Sequence, residues 1–159
     1  MVERLSAAFW HPLVFGSCAG GLMHRPRRGA YLIAQDDQGR FACERGLHGG
    51  LYLVGGGLDA GESPEEAVVR EVREEAGAGV ATLRFVGALR EWFVQPDGLA
   101  AWDQTGYFFE GSLTELPDVP PTAFVWAPRA LFLSESVYQS ARYAVTRLSP
   151  RSPRTLQPA

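Results

Sequence analysis

The chain has 159 residues, of which 46% are hydrophobic and 21% are charged, a composition typical of a soluble globular protein. That length favours one domain with a core of its own. All fifteen of its cationic side chains are arginine, because the sequence contains no lysine. The missing lysine excludes Schiff-base chemistry and phosphate loops that depend on a lysine ammonium. The net charge of −3 gives no general attraction to nucleic acid or to an anionic membrane.

The sequence carries no pattern typical of membrane insertion or secretion. Its longest apolar runs fall far short of the ~20 residues needed to cross a bilayer, and the N-terminus leads into no sustained apolar stretch. The two cysteines, Cys18 and Cys43, lack the paired spacing of a zinc site. We therefore predict a cytoplasmic protein with reduced thiols and with no membrane or nucleic-acid partner.

Apolar, strand-like runs alternate with turn signals after a basic segment, His24–Gly29, which we expect to form an exposed turn. A polar tetrapeptide, residues 36–39, separates the first two runs and favours a hairpin between them. The predicted strands, about six in number, are Ala30–Gln35, Phe41–Glu44, Leu51–Val54, Leu83–Val94, Gly106–Glu110 and Ala123–Trp126. We expect a single domain over residues 1–149, in which residues 1–29 are an N-terminal extension, followed by a flexible tail over residues 150–159.

Two helices are predicted. Ser63 can cap the first, a proline follows it at the first helical position, and Glu66 completes a capping box. Gly77 supplies the left-handed residue that ends many helices, so this helix should span Pro64–Ala76. The second helix, with an apolar stripe, should span about Glu135–Leu148. With one helix between strands and another at the end, the pattern predicts an α/β or α+β sandwich.

Three carboxylates share one face of the first helix. At ~100° per residue, Glu71, Glu74 and Glu75 fall within one turn and lie beside the apolar stripe. Like charges this close destabilise a helix, and a set of hard oxygen ligands favours Mg²⁺ or Mn²⁺ over softer metals. The cluster therefore predicts a divalent-cation site, with a solvated acidic face as the alternative.

A glycine-rich segment, Val54–Glu62, precedes that helix, and its glycines let the backbone approach a ligand closely. A lysine-dependent P-loop on these glycines fails, because Glu62 stands where the lysine is required. Gly56, five residues, Glu62, seven residues and then Arg70–Ala78 match the complete signature of the Nudix hydrolases, which the chain therefore resembles over residues 56–78. The resemblance implies an α/β/α sandwich with a mixed β-sheet, in which the signature forms a loop, a helix and a loop.

The resemblance also assigns roles to the residues of the signature. The metal ligands and water-activating groups that it implies are Glu71, Glu74 and Glu75. Arg70 corresponds to the arginine that orients them, the Gly55 carbonyl completes the metal shell in many members, and Glu62 and Gly56 have supporting roles. The implied reaction is Mg²⁺- or Mn²⁺-dependent hydrolysis of a pyrophosphate bond in a nucleoside diphosphate linked to another moiety. Nucleotide sugars, ADP-ribose, nucleoside triphosphates and dinucleoside polyphosphates all belong to that substrate class.

The chain departs from the family at Ala123, where many members carry a further glutamate. Candidate replacement ligands, among which the sequence does not choose, are Asp118, Glu115, Glu110, Asp103 and Glu91. Arg45 and Arg90 are candidate phosphate contacts. Candidates for stacking on a base are Trp92, Phe93, Trp102, Tyr107 and Trp126. The alternative function is a catalytically silent nucleotide sensor with this fold, which the full set of carboxylates disfavours. Because members of the family often form dimers, a homodimer is a candidate assembly.

Overall fold

Eight strands and three α-helices make up the described part of the chain, which in this computed structural model comprises residues 13–18, 20–95, 98 and 100–148. In chain order they are β1 (Val14–Phe15), β2 (His24–Ala34), β3 (Phe41–Arg45), β4 (Leu51–Leu53), β5 (Gly55–Gly57), α1 (Pro64–Ala76), β6 (Val80–Val94), β7 (Ala101–Leu113), β8 (Phe124–Ala127), α2 (Arg129–Glu135) and α3 (Gln139–Tyr143). A π-helical turn, Ala144–Leu148, continues α3.

The strands form two sheets. Sheet A has five strands in the order β1-β6-β7-β2-β5, and sheet B has three in the order β4-β3-β8. Sheet A is mixed, because β2 runs parallel to β7 and antiparallel to β5, whereas β6 and β7 pair antiparallel along most of their length. The short strand β5 therefore lies at one edge of sheet A, directly beside β2.

The two faces of β2 contribute to different cores, since successive side chains of a strand point to opposite sides. Tyr31 and Ile33 pack in a cluster with residues of α2 and α3. Ala30 and Leu32 pack in a second cluster with the apolar stripe of α1. Sheet A is thus covered by helices on both faces, which confirms the predicted sandwich of a mixed sheet between helices.

Helix α1 spans Pro64–Ala76, as the capping pattern predicts. The Ser63 hydroxyl accepts a hydrogen bond from the Glu66 amide at 3.2 Å, and the Glu66 carboxylate accepts one from the Ser63 amide at 2.9 Å. At the other end Gly77 has a φ of 68°, and its amide donates to the Arg73 carbonyl. Both ends of the helix are therefore fixed by local interactions, and with them the direction of each side chain on it.

The prediction of an exposed turn at His24–Gly29 was wrong, because these residues form the first half of β2 and pair in parallel with β7. Pro26 cannot donate a ladder hydrogen bond and would be unfavourable in a strand paired on both edges. Strand β5, however, pairs with β2 only at residues 29–31. The second edge of β2 is therefore unpaired at Pro26 among the described strands, and the proline is tolerated there.

The predicted hairpin between the first two strands was also wrong. Strand β2 belongs to sheet A and β3 to sheet B, and a single bridge, Gln35 to Phe41, links them across the turn. The three glycines that follow the predicted strand Leu51–Val54 form a strand of their own, β5. Their own backbone pairing with β2 outweighs the low strand propensity of glycine.

The continuous C-terminal helix predicted over Glu135–Leu148 is interrupted. Ser136 and Tyr138 adopt extended backbone conformations between α2 and α3. The Val137 amide donates to the Leu51 carbonyl at 3.1 Å, so a contact with β4 replaces a helical turn.

No helix within the described residues is long and apolar enough to cross a bilayer. The predicted tail, residues 150–159, and residues 1–12 of the predicted extension lie outside the described residues.

Candidate functional site

The glycine strand β5 brings the backbone within reach of the acidic face of α1. Gly55, with a φ of 143°, leaves no room for a side chain, since a Cβ there would lie 2.1 Å from the Ala30 carbonyl oxygen. A Cβ on Gly56 would lie 2.3 Å from Glu71 Oε1. Glycine at these two positions therefore permits both the pairing with β2 and the close approach of Glu71.

Glu75 is the carboxylate held most closely to β5. The Gly55 amide donates a hydrogen bond to Glu75 Oε2 at 2.9 Å. Burial raises the pKa of Glu75 to about 9, the nearby charges of Glu44 and Glu71 act in the same direction, and the Gly55 hydrogen bond opposes them. A carboxyl group that is buried beside two others gains from a cation placed among them.

Glu71 lies one turn before Glu75, and its side chain is 13% exposed. Burial raises the pKa of Glu71, whereas the hydrogen bond and charge of the adjacent Arg70 lower it. Glu74 is more open, with 59% of its side chain exposed. Glu71 and Glu75 are thus largely buried beside β5, whereas Glu74 is exposed next to Arg70.

Arg70 links the helix to the glycine segment. Its guanidinium donates to both carboxylate oxygens of Glu62, at 2.9 and 3.0 Å, to Glu71 at 2.9 Å and to the Gly57 carbonyl at 2.9 Å. Glu74 lies 3.5 Å from the same guanidinium. The hydrogen bond from Arg70 holds the pKa of Glu62 below its usual range. Arg70 thus joins Glu62, Glu71 and the glycine strand in one hydrogen-bonded group.

The donor set around β5 fits a divalent cation in its chemistry. Glu71, Glu74, Glu75 and the Gly55 carbonyl are hard oxygen donors of the kind that Mg²⁺ and Mn²⁺ take. Among the residues that the structure describes, no three acidic, histidine or cysteine side chains are gathered in a ligating arrangement. Because Arg70 contacts two of these glutamates, cation binding would require the side chains to rearrange.

Glu44 is a site residue that the sequence reasoning missed. It lies on β3 of sheet B, and its charge acts on Glu75. A usable signal was present, since alternation along β3 places Glu44 on the same side as Ala42, which packs in the cluster around α1. A carboxylate on the α1 side of a buried strand is unusual enough to be selected as a candidate ligand.

The five predicted replacement ligands occupy different parts of the fold. The Glu91 carboxylate is buried and accepts hydrogen bonds from the amides of Gln139 and Ser140 at the start of α3. Asp103 binds Arg90, and Glu110 forms an ion pair with Arg84. The remaining two, Glu115 and Asp118, are exposed between β7 and β8. Glu91, Asp103 and Glu110 are thus engaged away from β5, whereas Glu44 acts directly on Glu75.

The predicted substrate contacts are dispersed. Arg45 adjoins Glu44 on β3 and donates to Glu135 at 3.1 Å. Arg90 makes two hydrogen bonds of 2.6 Å with Asp103 and lies 5.0 Å from the centre of the Trp92 ring. Strand β6, which carries Arg90 and Trp92, is separated from β5 by two strands, a distance on the order of 14 Å. The structure therefore does not bring Arg90 and Trp92 to the glycine strand.

The other candidate aromatics are partly buried and have different neighbours. Phe93 packs against Tyr138, and Trp126 packs against Phe124. Trp102 and Tyr107 instead lie beneath the guanidinium groups of two arginines of β2, at 5.7 and 5.3 Å from the ring centres. Both arginines, Arg27 and Arg28, belong to the part of β2 that does not pair with β5.

Comparison with known proteins finds a family model and solved structures that resemble this chain. The model of the NUDIX domain matches residues 23–143, a range that extends from β2 to α3. A solved MutT protein from Methanosarcina mazei Go1 superposes with a TM-score of 0.62 at 20% identity, covering 81% of this chain and 96% of that one. At that identity the likeness concerns the fold alone.

Curated relatives of this chain carry the name RNA pyrophosphohydrolase, and two of them illustrate the extent of the match. The protein from Photorhabdus laumondii subsp. laumondii is 34% identical over 82 residues, which are 50% of this chain and 46% of that protein. The protein from Halorhodospira halophila is 38% identical over 68 residues, which are 43% of this chain and 37% of that protein. The chain thus spans less than half the length of these two relatives.

Proposed function

Because this chain belongs to the Nudix family, we propose that it is a pyrophosphohydrolase that cleaves a nucleoside diphosphate linked to another moiety. The observation that carries the proposal is the convergence of glutamates on the glycine strand, with Glu75 bound to the Gly55 amide and Glu71 against Gly56. A second support is the name of the curated relatives, RNA pyrophosphohydrolase.

The reaction adds water to one phosphorus of the anhydride. The bond from that phosphorus to the bridging oxygen breaks, and the oxygen leaves with the other phosphate, giving a nucleotide and a second phosphorylated product. We assign Glu74 and Glu75 as the main ligands of a divalent cation, with Glu71 either completing the ligand set or accepting the proton from water. When bound, Mg²⁺ or Mn²⁺ supplies the positive charge that a polyanionic diphosphate requires at this acidic surface.

Arg70 and β5 position these glutamates. The bidentate contact with Glu62 and the hydrogen bond to Gly57 fix the guanidinium against the strand, and rigid supporting contacts are what keep reactive groups in productive geometry. Arg70 is thus a positioning residue in this proposal. With no lysine in the chain, protein contacts to phosphate have to come from arginine side chains or backbone amides.

The test is a substrate panel with Mg²⁺ or Mn²⁺, in which product release is followed by chromatography. The panel contains ADP-ribose and nucleotide sugars, nucleoside triphosphates, dinucleoside polyphosphates and, because of the relatives' name, RNA with a 5′ triphosphate. We expect one class to be hydrolysed, chelation to stop the reaction, and Glu75→Gln to remove it. Glu65→Gln, which changes an exposed carboxylate of α1 outside the cluster, is the matched control and should leave the rate unchanged.

Two outcomes would contradict the proposal. Tight nucleotide binding without turnover of any compound would favour the sensor, the alternative function. Turnover near the wild-type rate in Glu75→Gln would show that the reaction does not use this cluster.

A further inference from the structure

Polar side chains without partners are buried on the face of sheet A that lies opposite α1. Gln104 is 1% exposed and Tyr31 is 3% exposed. Within the described part of the chain, the Gln104 amide, the Tyr31 hydroxyl and the Trp102 ring nitrogen make no hydrogen bond of good geometry, although the Gln104 and Tyr138 side chains lie close enough to the Tyr31 hydroxyl to shift its pKa. Buried polar atoms are nearly always paired in native proteins, so this group requires a physical explanation.

Gln104 is the most informative member of the group. Its side chain lies beside the apolar residues Phe108 and Leu89 and beside the buried Glu91, its cross-strand neighbour. The Glu91 carboxylate already accepts hydrogen bonds from Gln139 and Ser140, and a leucine in place of Gln104 would avoid the cost of desolvating an amide. A residue that destabilises the fold in this way is expected where a ligand makes the missing hydrogen bonds. The neighbouring Tyr31 hydroxyl remains neutral, because burial raises the pKa of Tyr31 above its usual range.

The walls around these atoms are flat and aromatic. The Tyr31 ring stacks on Phe108 with centroids 5.5 Å apart, and its hydroxyl lies above Gly29, where a Cβ would approach to 2.7 Å. The Arg27 guanidinium covers Trp102 at 5.7 Å from the ring centre. Arg27 and Trp102 are only partly buried, so a ligand would reach the amide by displacing these two side chains.

The group adjoins the glycine strand. Gly29 of β2 pairs with Gly57 of β5, and a Cβ on Gly57 would lie 3.6 Å from Arg27 Nη2. The Gly57 carbonyl accepts a hydrogen bond from Arg70 at 2.9 Å. One backbone residue thus separates the unpaired polar group from the side chains assigned to the hydrolysis.

We propose that Gln104 and Tyr31 bind the hydrogen-bonding edge of the substrate's nucleobase and determine which base is accepted. The inference rests on the proposed function for the identity of the ligand as a nucleotide. A primary amide presents an adjacent donor and acceptor, which match the donor and acceptor pairs on base edges. Aromatic walls suit the faces of a planar ring, whereas a phosphate would be met here by the single cation Arg27.

The test is binding of the four common nucleoside monophosphates to the metal-free protein, measured by calorimetry in the presence of a chelator. We expect the wild type to prefer one base, and Gln104→Leu to reduce that preference roughly ten- to a hundredfold, the range that one bidentate contact provides. Tyr31→Phe keeps the ring, and we expect it to weaken the preference by a smaller factor. Gln38→Leu changes an exposed glutamine of a turn and is the matched control.

The same titrations separate this inference from the proposed function. An unchanged order and spread of affinities in both Gln104→Leu and Tyr31→Phe would overturn the inference, as would a wild type that binds no monophosphate saturably. Base-selective binding that is lost in Gln104→Leu, in a protein that hydrolyses nothing in the panel, would support the base site while rejecting the hydrolase. Hydrolysis of substrates with all four bases at equal efficiency would support the hydrolase and reject the base site. Displacement of Arg27 by the base should change the fluorescence of Trp102. Trp102→Phe removes this fluorophore, so the part of the signal that is lost in the variant comes from that ring.

Discussion

Replacement of Glu75 by glutamine should stabilise the metal-free protein at neutral pH. The pKa of Glu75 is raised from 4.5 to about 9, mainly by burial. Between these two values the folded state binds a proton that the unfolded state has released, so stability falls as pH rises. Between pH 4.5 and pH 7, the free energy of unfolding should therefore fall by about 3 kcal/mol. A glutamine has no proton to lose and can still accept the Gly55 hydrogen bond.

The pH dependence distinguishes this explanation from ordinary effects of substitution. Well below pH 4.5, Glu75 is protonated in both states, and the variant and the wild type should unfold with similar free energies. The advantage of Glu75→Gln should grow from there towards pH 9. At pH 7 it corresponds to a rise in melting temperature of roughly 6–12 °C for a chain of this length.

Urea unfolding followed by tryptophan fluorescence, with a chelator present and at several pH values, measures the effect. Glu115→Gln is the control, because it removes an exposed carboxylate of the same type. A variant that is less stable than the wild type at pH 7, or a gain of equal size at pH 5 and pH 8, would refute the reasoning. The first result would mean that the Glu75 charge is stabilised in the fold, and the second that the gain has another origin.

Three further predictions concern separate parts of the molecule. Gly56→Ala should keep the fold but displace Glu71, whose oxygen lies 2.3 Å from the added Cβ, and kcat should fall on the order of a hundredfold in a steady-state assay. Glu91→Gln should lower the free energy of unfolding by about 2 kcal/mol, measured in urea, because a buried carboxylate that accepts three hydrogen bonds is replaced. Iodoacetamide at pH 8 should modify Cys18 and leave Cys43 intact by mass spectrometry, because burial raises the pKa of the Cys43 thiol to about 12.

Each of these three has its own control or contrary result. Gly20→Ala adds a methyl group in open space and should leave kcat unchanged. If Glu91→Gln weakened metal binding and not stability, the carboxylate would be a ligand after all. Rapid labelling of Cys43 under native conditions would mean that the core around β3 opens readily.

Features determined by neighbouring residues were predictable from the sequence. Helix α1 matched its predicted bounds, because the Ser63 and Glu66 pair and Gly77 are local signals whose hydrogen bonds form within the segment itself. The same locality allowed the acidic face of α1 to be identified, since helical periodicity alone places Glu71 beside Glu75.

Features determined by distant partners were not predictable. The break after α2 depends on the hydrogen bond from Val137 to Leu51, and β5 is a strand because it pairs with β2. The basic segment around Pro26 had the composition of a turn, but the pairing with β7 determined its conformation. Pairing between strands that are distant in the sequence produces no local residue pattern, unlike a turn or a helix, and so could not be predicted from a single sequence.

The candidate site was recognised only in the part that is contiguous in sequence. Glu44 comes from a different sheet, and Gln104 is informative only once its burial and its lack of partners are known. Arg90, in contrast, looked available as a cation but is neutralised by Asp103. Charge in a sequence indicates which groups exist, and the packing decides which of them remain free to meet a ligand.

The position of Gly57 has a consequence for engineering this protein. Arg70 binds its carbonyl, and Arg27 lies beside its α-carbon. Under the proposed hydrolysis and the proposed base site, a shift of this one residue would therefore disturb cleavage and selectivity together. Strand β2 is bonded to β5 and transmits such shifts, whereas β7 is separated from β5 by β2. Libraries intended to change the accepted substrate without loss of turnover should therefore vary the side chains of β7 and conserve those of β2.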